Sequence, residues 1–506
     1  MANQSVVGNG FNAAPIIDYQ VVLSADKPSM VPGSYDLVSL SHTWLAYDRR
    51  LRLTQLRDRD GQLFAVVVGF PYSDFGDAFL PAGEVAIPIV INSVDDLERL
   101  AIPKLAGLYV LFTAGSLPPR VYMDHGGSFP LVYSAEDRRA ASSPALLLDE
   151  KQYHHRFRRE LHEQLIEREG GGGWISGALT AHEDVRRVLP NHYLDLASWK
   201  AHRFWPRAGD FRHWLELGDG ARLAAAALGR FSGAATKDFQ VAVTMTAGFD
   251  SRLLLAGCRD VASECEFFTL AAPGADLDMS VSQALARRFG LNHRVMPLRQ
   301  ATDLEIATWD RMVGDCMREA PRQTHVTLRD LNGRDAVFTG MYGEVGRCRL
   351  YRQDFRSINE GAIDERFILD RLTLPPQPEL LADVAEWLAA LAGQPNSVIL
   401  DLAFLELKFG SWAMGQRPIS NSIKLNFLPF AQRPVFEAFI GVAPAQKETG
   451  ALFWEIIKVL WPELSEFPIN KYGDLRDYMA IWKKLSNANR VKRFLRDRLA
   501  RKRALV

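Results

Sequence analysis

The segment Val241-Ala-Val-Thr-Met-Thr-Ala-Gly-Phe-Asp-Ser-Arg-Leu-Leu-Leu-Ala256 constrains the fold most strongly. A short apolar run gives way to small residues and then to a leucine-rich stretch. That order predicts a buried strand, a tight loop and a helix. Small residues at 246–248 let the backbone close around a ligand. Backbone N–H groups and the helix N-terminus then point at one place, which favours an anion. Ser251 adds a hydroxyl donor. Asp250 is an acid placed where phosphate would sit, which makes sense if it holds Mg²⁺. The same residues also fit a plain strand-to-helix turn with Asp250 or Ser251 as its N-cap, and the segment alone does not choose between the two.

Glu266-Phe-Phe-Thr-Leu270 and Ala336-Val-Phe-Thr339 repeat the short buried strand, with helical stretches between, so a parallel sheet covered by helices is expected from about residue 209. Beyond about 360 the pattern is nearly all helical. Residues 1–150 read as mostly β, with strands expected at Leu63–Phe70, Leu108–Thr113 and Arg120–Met123. Residues 152–168 carry a charged helical pattern that Gly170-Gly-Gly-Gly173 ends. No Lys-Ser/Thr follows those glycines and no strand leads in, so a flexible connection is expected rather than a phosphate loop.

The length, 506 residues, predicts two large domains. Lys+Arg and Asp+Glu balance at 60 each, which argues against a mainly electrostatic nucleic-acid binder. Cys258, Cys265, Cys316 and Cys348 form no CxxC pair, so no structural zinc is expected, and so few cysteines fit a reducing compartment. The start Met1-Ala-Asn-Gln-Ser lacks a signal-peptide pattern, and no apolar stretch approaches the roughly 18 residues of a membrane span. A soluble, cytoplasmic protein with no membrane partner is the expectation. The tail Arg490–Arg503 holds eight Lys/Arg and one acid, Asp497, and reads as a solvated helix face or as a contact with an anionic partner.

Several of these segments resemble the asparagine synthetase-like family. Thr246-Ala-Gly-Phe-Asp-Ser251 is similar to the pyrophosphate-binding Ser-Gly-Gly-x-Asp-Ser loop of the PP-loop ATP pyrophosphatases, with Thr246 for Ser and Ala247 for the first Gly. Phe267–Leu270, Asp276-Leu-Asp278 and Ala284–His293 look like the next strand and helix of the synthetase domain. Val337-Phe-Thr-Gly-Met-Tyr-Gly-Glu344 looks like its third strand and loop, with Met341 where the family has Glu and Glu344 at the second Mg²⁺-binding acid. Phe467-Pro-Ile-Asn-Lys471-Tyr-Gly-Asp-Leu-Arg476 is similar to the region carrying the family's C-terminal lysine. Leu105–Phe112, Val121–Ser134, Ala140–Ser143 and Leu179–Leu194 resemble the glutaminase domain. That domain's chemistry needs a cysteine at the mature N-terminus, and this chain has Ala2.

The resemblance implies an N-terminal-nucleophile-hydrolase-like αββα sandwich over 1–208 without glutaminase activity. A PP-loop (HUP-like) parallel α/β synthetase domain with a helical C-terminal part would span 209–506. It implies an ATP- and Mg²⁺-dependent amide-bond-forming ligase, as in β-lactam synthetases and lasso-peptide cyclases, which also lack the cysteine. Thr246, Ala247, Gly248, Asp250, Ser251, Leu270 and Gly340 would bind ATP and pyrophosphate, and Asp250 and Glu344 would hold Mg²⁺. Lys471 would be catalytic. Tyr342 would stand in for a family tyrosine, and Glu406 would be a proton acceptor or half of a surface pair. The implied partners are a small-molecule or peptide carboxylate and an amine donor, with no nucleic acid; a homo-oligomer is compatible. A non-catalytic scaffold derived from the same fold is the second expectation, motivated by Ala247, Met341 and Glu344.

Overall fold

The computed structural model describes residues 18–29, 31–40, 43–318, 320–351, 358 and 361–477. The basic tail Arg490–Arg503 lies outside them. The chain is mixed α/β with three sheets. Alternating and continuous apolar runs before residue 204 form two sheets that are almost wholly antiparallel. The first orders Arg186–Arg187, Val132–Ser134, Arg139–Ala141, Val21–Ser24, Thr43–Asp48 and Tyr35–Leu40. The second is built on Leu63–Ser73 against Leu105–Thr113, with Arg120–Met123, His192–Asp195 and Lys200–Arg203 on one side. Arg52–Arg57 and Gly83–Ala86 extend its other side.

The third sheet is parallel. Its order is His293–Pro297, Glu266–Ala271, Val241–Thr244, Ala336–Phe338 and Leu425–Phe427. The central strand Val241–Thr244 is buried over its first three residues, as its unbroken apolar pattern requires. Helix Leu217–Asp238 packs beside helices Arg433–Gly441 and Ala451–Leu460. Its buried side carries Ala221, Ala224, Ala225, Leu228, Phe231 and Ala235, a helical stripe whose small members allow close approach. One hydrophobic core runs from the antiparallel sheets through this helical layer. No described helix is long and apolar enough to cross a membrane. All four cysteines are free and buried.

Two expectations need correction. The charged stretch 152–168 is not one helix. It divides into Glu150–His155 and a second helical piece from Arg159, because Phe157 leaves the helix to bridge His182. Gly170–Gly173 is not a flexible connection. Gly173 donates to the Leu165 carbonyl, 2.8 Å, and a Cβ on Gly171 would lie 2.3 Å from the Gln164 oxygen, so the run forms a tight helix-terminating turn. Beyond 360 the described elements are helical except for one short strand, Leu425–Phe427, which completes the parallel sheet.

Candidate functional site

The central strand runs into Met245–Gly248 and then into helix Phe249–Gly257. From this strand the chain winds outward to Glu266–Ala271 and His293–Pro297 on one side. It then returns to Ala336–Phe338 and Leu425–Phe427 on the other. The loop therefore lies at the C-terminal end of a strand where the order reverses, the usual ligand crevice of open parallel sheets.

Ser251 organises the loop. Its Oγ accepts from the Thr246 N–H at 3.1 Å, lies 2.8 Å from Thr246 Oγ1 and donates to the Thr246 carbonyl at 3.0 Å. The Gly248 N–H turns to Thr246 Oγ1, 3.3 Å. The Ala247 N–H donates to Asp278 Oδ1 at 2.9 Å. A carboxylate oxygen thus sits on a backbone donor of the loop, and the loop amide donates to an anionic group there.

Asp250 occupies the first turn of the helix. Arg347 Nη2 lies 2.5 Å from its Oδ2, and its Oδ1 is buried without a partner. Burial raises its carboxyl above the ordinary range, Arg347 pulls it back, and the negative Glu344 raises it further. The segment 340–343 presses against this acid. A Cβ on Gly340 would lie 3.1 Å from Asp250 Cβ, and one on Gly343 would lie 2.0 Å from Asp250 Oδ1. Only glycine permits that approach. Gly343→Ala is expected to push Asp250 off Arg347 and to destabilise the protein by about 1–3 kcal/mol, as overpacking does. Thermal unfolding checks it.

No cluster of three or more His, Cys, Asp or Glu capable of holding a metal occurs among the described residues. Mg²⁺ needs fewer, because it takes one or two carboxylates and completes its shell with phosphate and water. The buried, unpartnered Oδ1 of Asp250 beside the charge of Glu344 fits such an ion. Arg347 holds the other oxygen.

The segment carrying Lys471 docks on the loop. Arg252, 1% exposed, donates to the carbonyls of Leu464, Phe467 and Pro468 at 3.0, 3.1 and 3.3 Å. Burial lowers its guanidinium to about 10; the three carbonyls take its terminal nitrogens, and its Nε is buried without a partner. Asn470 then donates from its backbone to the Ala247 carbonyl, 2.9 Å. Lys471 follows, exposed, with no ion pair to any described residue. Leu270 is half-buried against the small cluster of Ala242, Phe268, Met296, Leu331 and Val337.

Two expected catalytic residues are given other work. Tyr342 is fully buried between Phe409 and Phe436, and its hydroxyl donates to the Gly126 carbonyl. Burial raises that hydroxyl well above its ordinary range, so it stays protonated as a packing residue. Glu406 is neither a free proton acceptor nor half of a surface pair. It is 0% exposed and accepts from Arg203, Asn191 and Trp387. Asp278, Arg347, Arg252 and Asn470 were given no role by the sequence. Their partners lie 31, 97, 212 and 223 positions away, and only the fold brings them to the loop.

No protein-family model matches this chain, and no curated protein matches it.

Proposed function

We propose that the chain is an ATP- and Mg²⁺-dependent ligase that forms an amide bond without a glutaminase of its own. The observation that carries this reading is the loop at the sheet's crevice. It presents a backbone N–H that already donates to a carboxylate oxygen, next to a partly buried acid whose Oδ1 is buried without a partner. Two antiparallel sheets followed by a parallel one are compatible with an N-terminal-nucleophile-hydrolase-like part over 1–208 and a PP-loop synthetase part over 209–506.

In this reading the amides of Thr246–Gly248 and the Ser251 hydroxyl would exchange their internal partners for pyrophosphate, with Leu270 and Gly340 lining the nucleotide's place. Asp250 and Glu344 would hold Mg²⁺, which supplies charge neutralisation on the phosphates. A substrate carboxylate oxygen attacks the α-phosphorus of ATP. The bond to the β-phosphate oxygen breaks and pyrophosphate leaves, giving an acyl-adenylate. An amine then attacks the acyl carbon and AMP leaves with the bond electrons, while the amine loses a proton. Lys471, exposed beside the loop, would neutralise charge developing on the departing phosphate. The substrate is a small-molecule or peptide carboxylate.

A second reading has its own support. Arg347 on Asp250 and Asp278 on the Ala247 amide satisfy part of the site internally, as a non-catalytic scaffold would. Pyrophosphate release from ATP and Mg²⁺ separates the two, assayed against pools of amino acids, peptides and cell extract. The ligase reading expects release that depends on an added carboxylate. Absence of both release and calorimetric ATP binding establishes the scaffold.

A further inference from the structure

A second cavity, of about 430 Å³, lies away from the loop, between the antiparallel part and helix Arg433–Gly441. Its volume falls within the range of small-molecule sites. Phe204, Trp205, Phe211, Leu215 and Leu223 give it apolar walls.

Most charges at its edge are already committed. Glu98 pairs with Arg207 at 2.7 Å and with Arg120 at 3.0 Å. Arg99 pairs with Asp95 at 2.9 Å, and Asp210 accepts from the Arg207 backbone at 2.7 Å. Two charges are not. Arg433 is 3% exposed and has no carboxylate partner; Trp205 stacks on it at 3.9 Å. One of its terminal nitrogens lies 3.4 Å from His125 Nδ1, and its Nε is buried without an acceptor. His125 Nε2 faces the Ile102 carbonyl at 3.1 Å, so that nitrogen carries the ring hydrogen and Nδ1 is free to accept. Glu437, one helical turn on, lines the same cavity half-buried and makes no hydrogen bond or ion pair with any described residue. Burial raises its carboxyl, and the charges of Arg433 and Lys104, neither in contact with it, pull it part of the way back.

A buried guanidinium and an unpaired carboxylate facing one aromatic-walled cavity are costly alone and complementary to a ligand carrying both opposite charges. Residues four apart on a helix stand about 5–6 Å apart at Cβ, a span the two charges of one α-amino acid can bridge. We propose that this cavity binds a free α-amino acid with an apolar side chain. Its carboxylate lies on Arg433, its ammonium on Glu437 and its side chain among Phe204, Trp205 and Phe211. The site is independent of the ligase reading, because the helix turns its other face to the loop region. There Phe439 lies 3.0 Å from where a Cβ on Gly346 would stand.

Calorimetric titration of the full chain with L-phenylalanine, without ATP, tests this. The expected result is binding at about 1 mM or tighter. Phenethylamine, which lacks the carboxylate, and N-acetyl-L-phenylalanine, which lacks the ammonium, each bind about tenfold or more weakly. Glu437→Gln weakens L-phenylalanine about ten- to a hundredfold. Leu223→Trp, at the partly exposed rim, blocks the cavity without touching Arg433. Asp250→Asn leaves this binding unchanged. Absence of binding, equal binding of the three probes, or wild-type affinity in both cavity variants overturns the proposal. Binding that falls with Asp250→Asn and not with Glu437→Gln also overturns it, and locates the amino acid at the nucleotide loop instead.

Discussion

Asp250→Asn is expected to lower substrate-dependent pyrophosphate release by about a thousandfold or more, the effect of losing several kcal/mol of metal-borne charge stabilisation. The folded protein is expected to be at least as stable as the wild type. These two outcomes together separate a functional acid from a structural one. Asp250 is held in the folded state at a disadvantage, because burial and the nearby Glu344 both oppose its charge and Arg347 reaches only one of its oxygens. Its folded-state pKa is therefore raised. The unfolded carboxyl ionises in the ordinary range near pH 4, while the folded one holds its proton to higher pH. Stability is thus lost as pH rises through the window between those two values. An asparagine has no charge to bury and escapes that loss. Unfolding midpoints measured from pH 4 to pH 8 are expected to show the variant gaining on the wild type as pH rises. A wild type that is clearly the more stable at neutral pH would mean that the Arg347 pair, not a ligand, is what Asp250 is there for.

The central part of this architecture was legible because its signals are local. Val241–Thr244, Glu266–Ala271 and Ala336–Phe338 fall within a residue or two of the expected strands. An apolar run bounded by small residues needs no distant information to be recognised as a buried strand. His293–Pro297 and Leu425–Phe427 escaped because each is short, exposed in part or set in helical surroundings, and is held in place by its neighbour strand. The loop Thr246–Ser251 was legible for the same local reason. What completes it was not. Asp278, Arg347 and Asn470 reach the loop only after the sheet has formed; Asp278 and Asn470 lie in segments the resemblance marked, but nothing local assigns any of the three its contact with the loop. Tyr342 and Glu406 show the converse. A residue type suited to chemistry, at a position suited to chemistry, was drawn into the core, because the antiparallel part packs against the very segments that carry them.

Glu406→Gln is expected to destabilise the fold by about 3–5 kcal/mol, the usual effect of removing one partner from a buried ion pair. The carboxylate receives two nitrogens of Arg203 at 2.8 and 2.5 Å, Asn191 Nδ2 at 2.9 Å and Trp387 Nε1 at 2.6 Å. Those donors come from the antiparallel part and from helix Pro378–Ala389, so one side chain joins three stretches of chain. Glutamine offers one acceptor and one donor where only donors converge, and it leaves the Arg203 charge buried. The pair need not add stability over an apolar core to be hard to break. The double variant Arg203→Met, Glu406→Leu is accordingly expected to recover most of the loss, a coupling that a double-mutant cycle in denaturant measures directly. Acid should expose the same dependence. Burial alone would raise the Glu406 carboxyl, but Arg203 outweighs it, and the folded value lies below the ordinary one. A depressed folded value contributes stability above the unfolded carboxyl's range, near pH 4.3, which is lost as pH falls through the folded value. The gap between wild type and Glu406→Gln therefore narrows on acidification below about pH 4. A gap that stays constant with pH would assign the loss to packing around the new side chain and not to the charge.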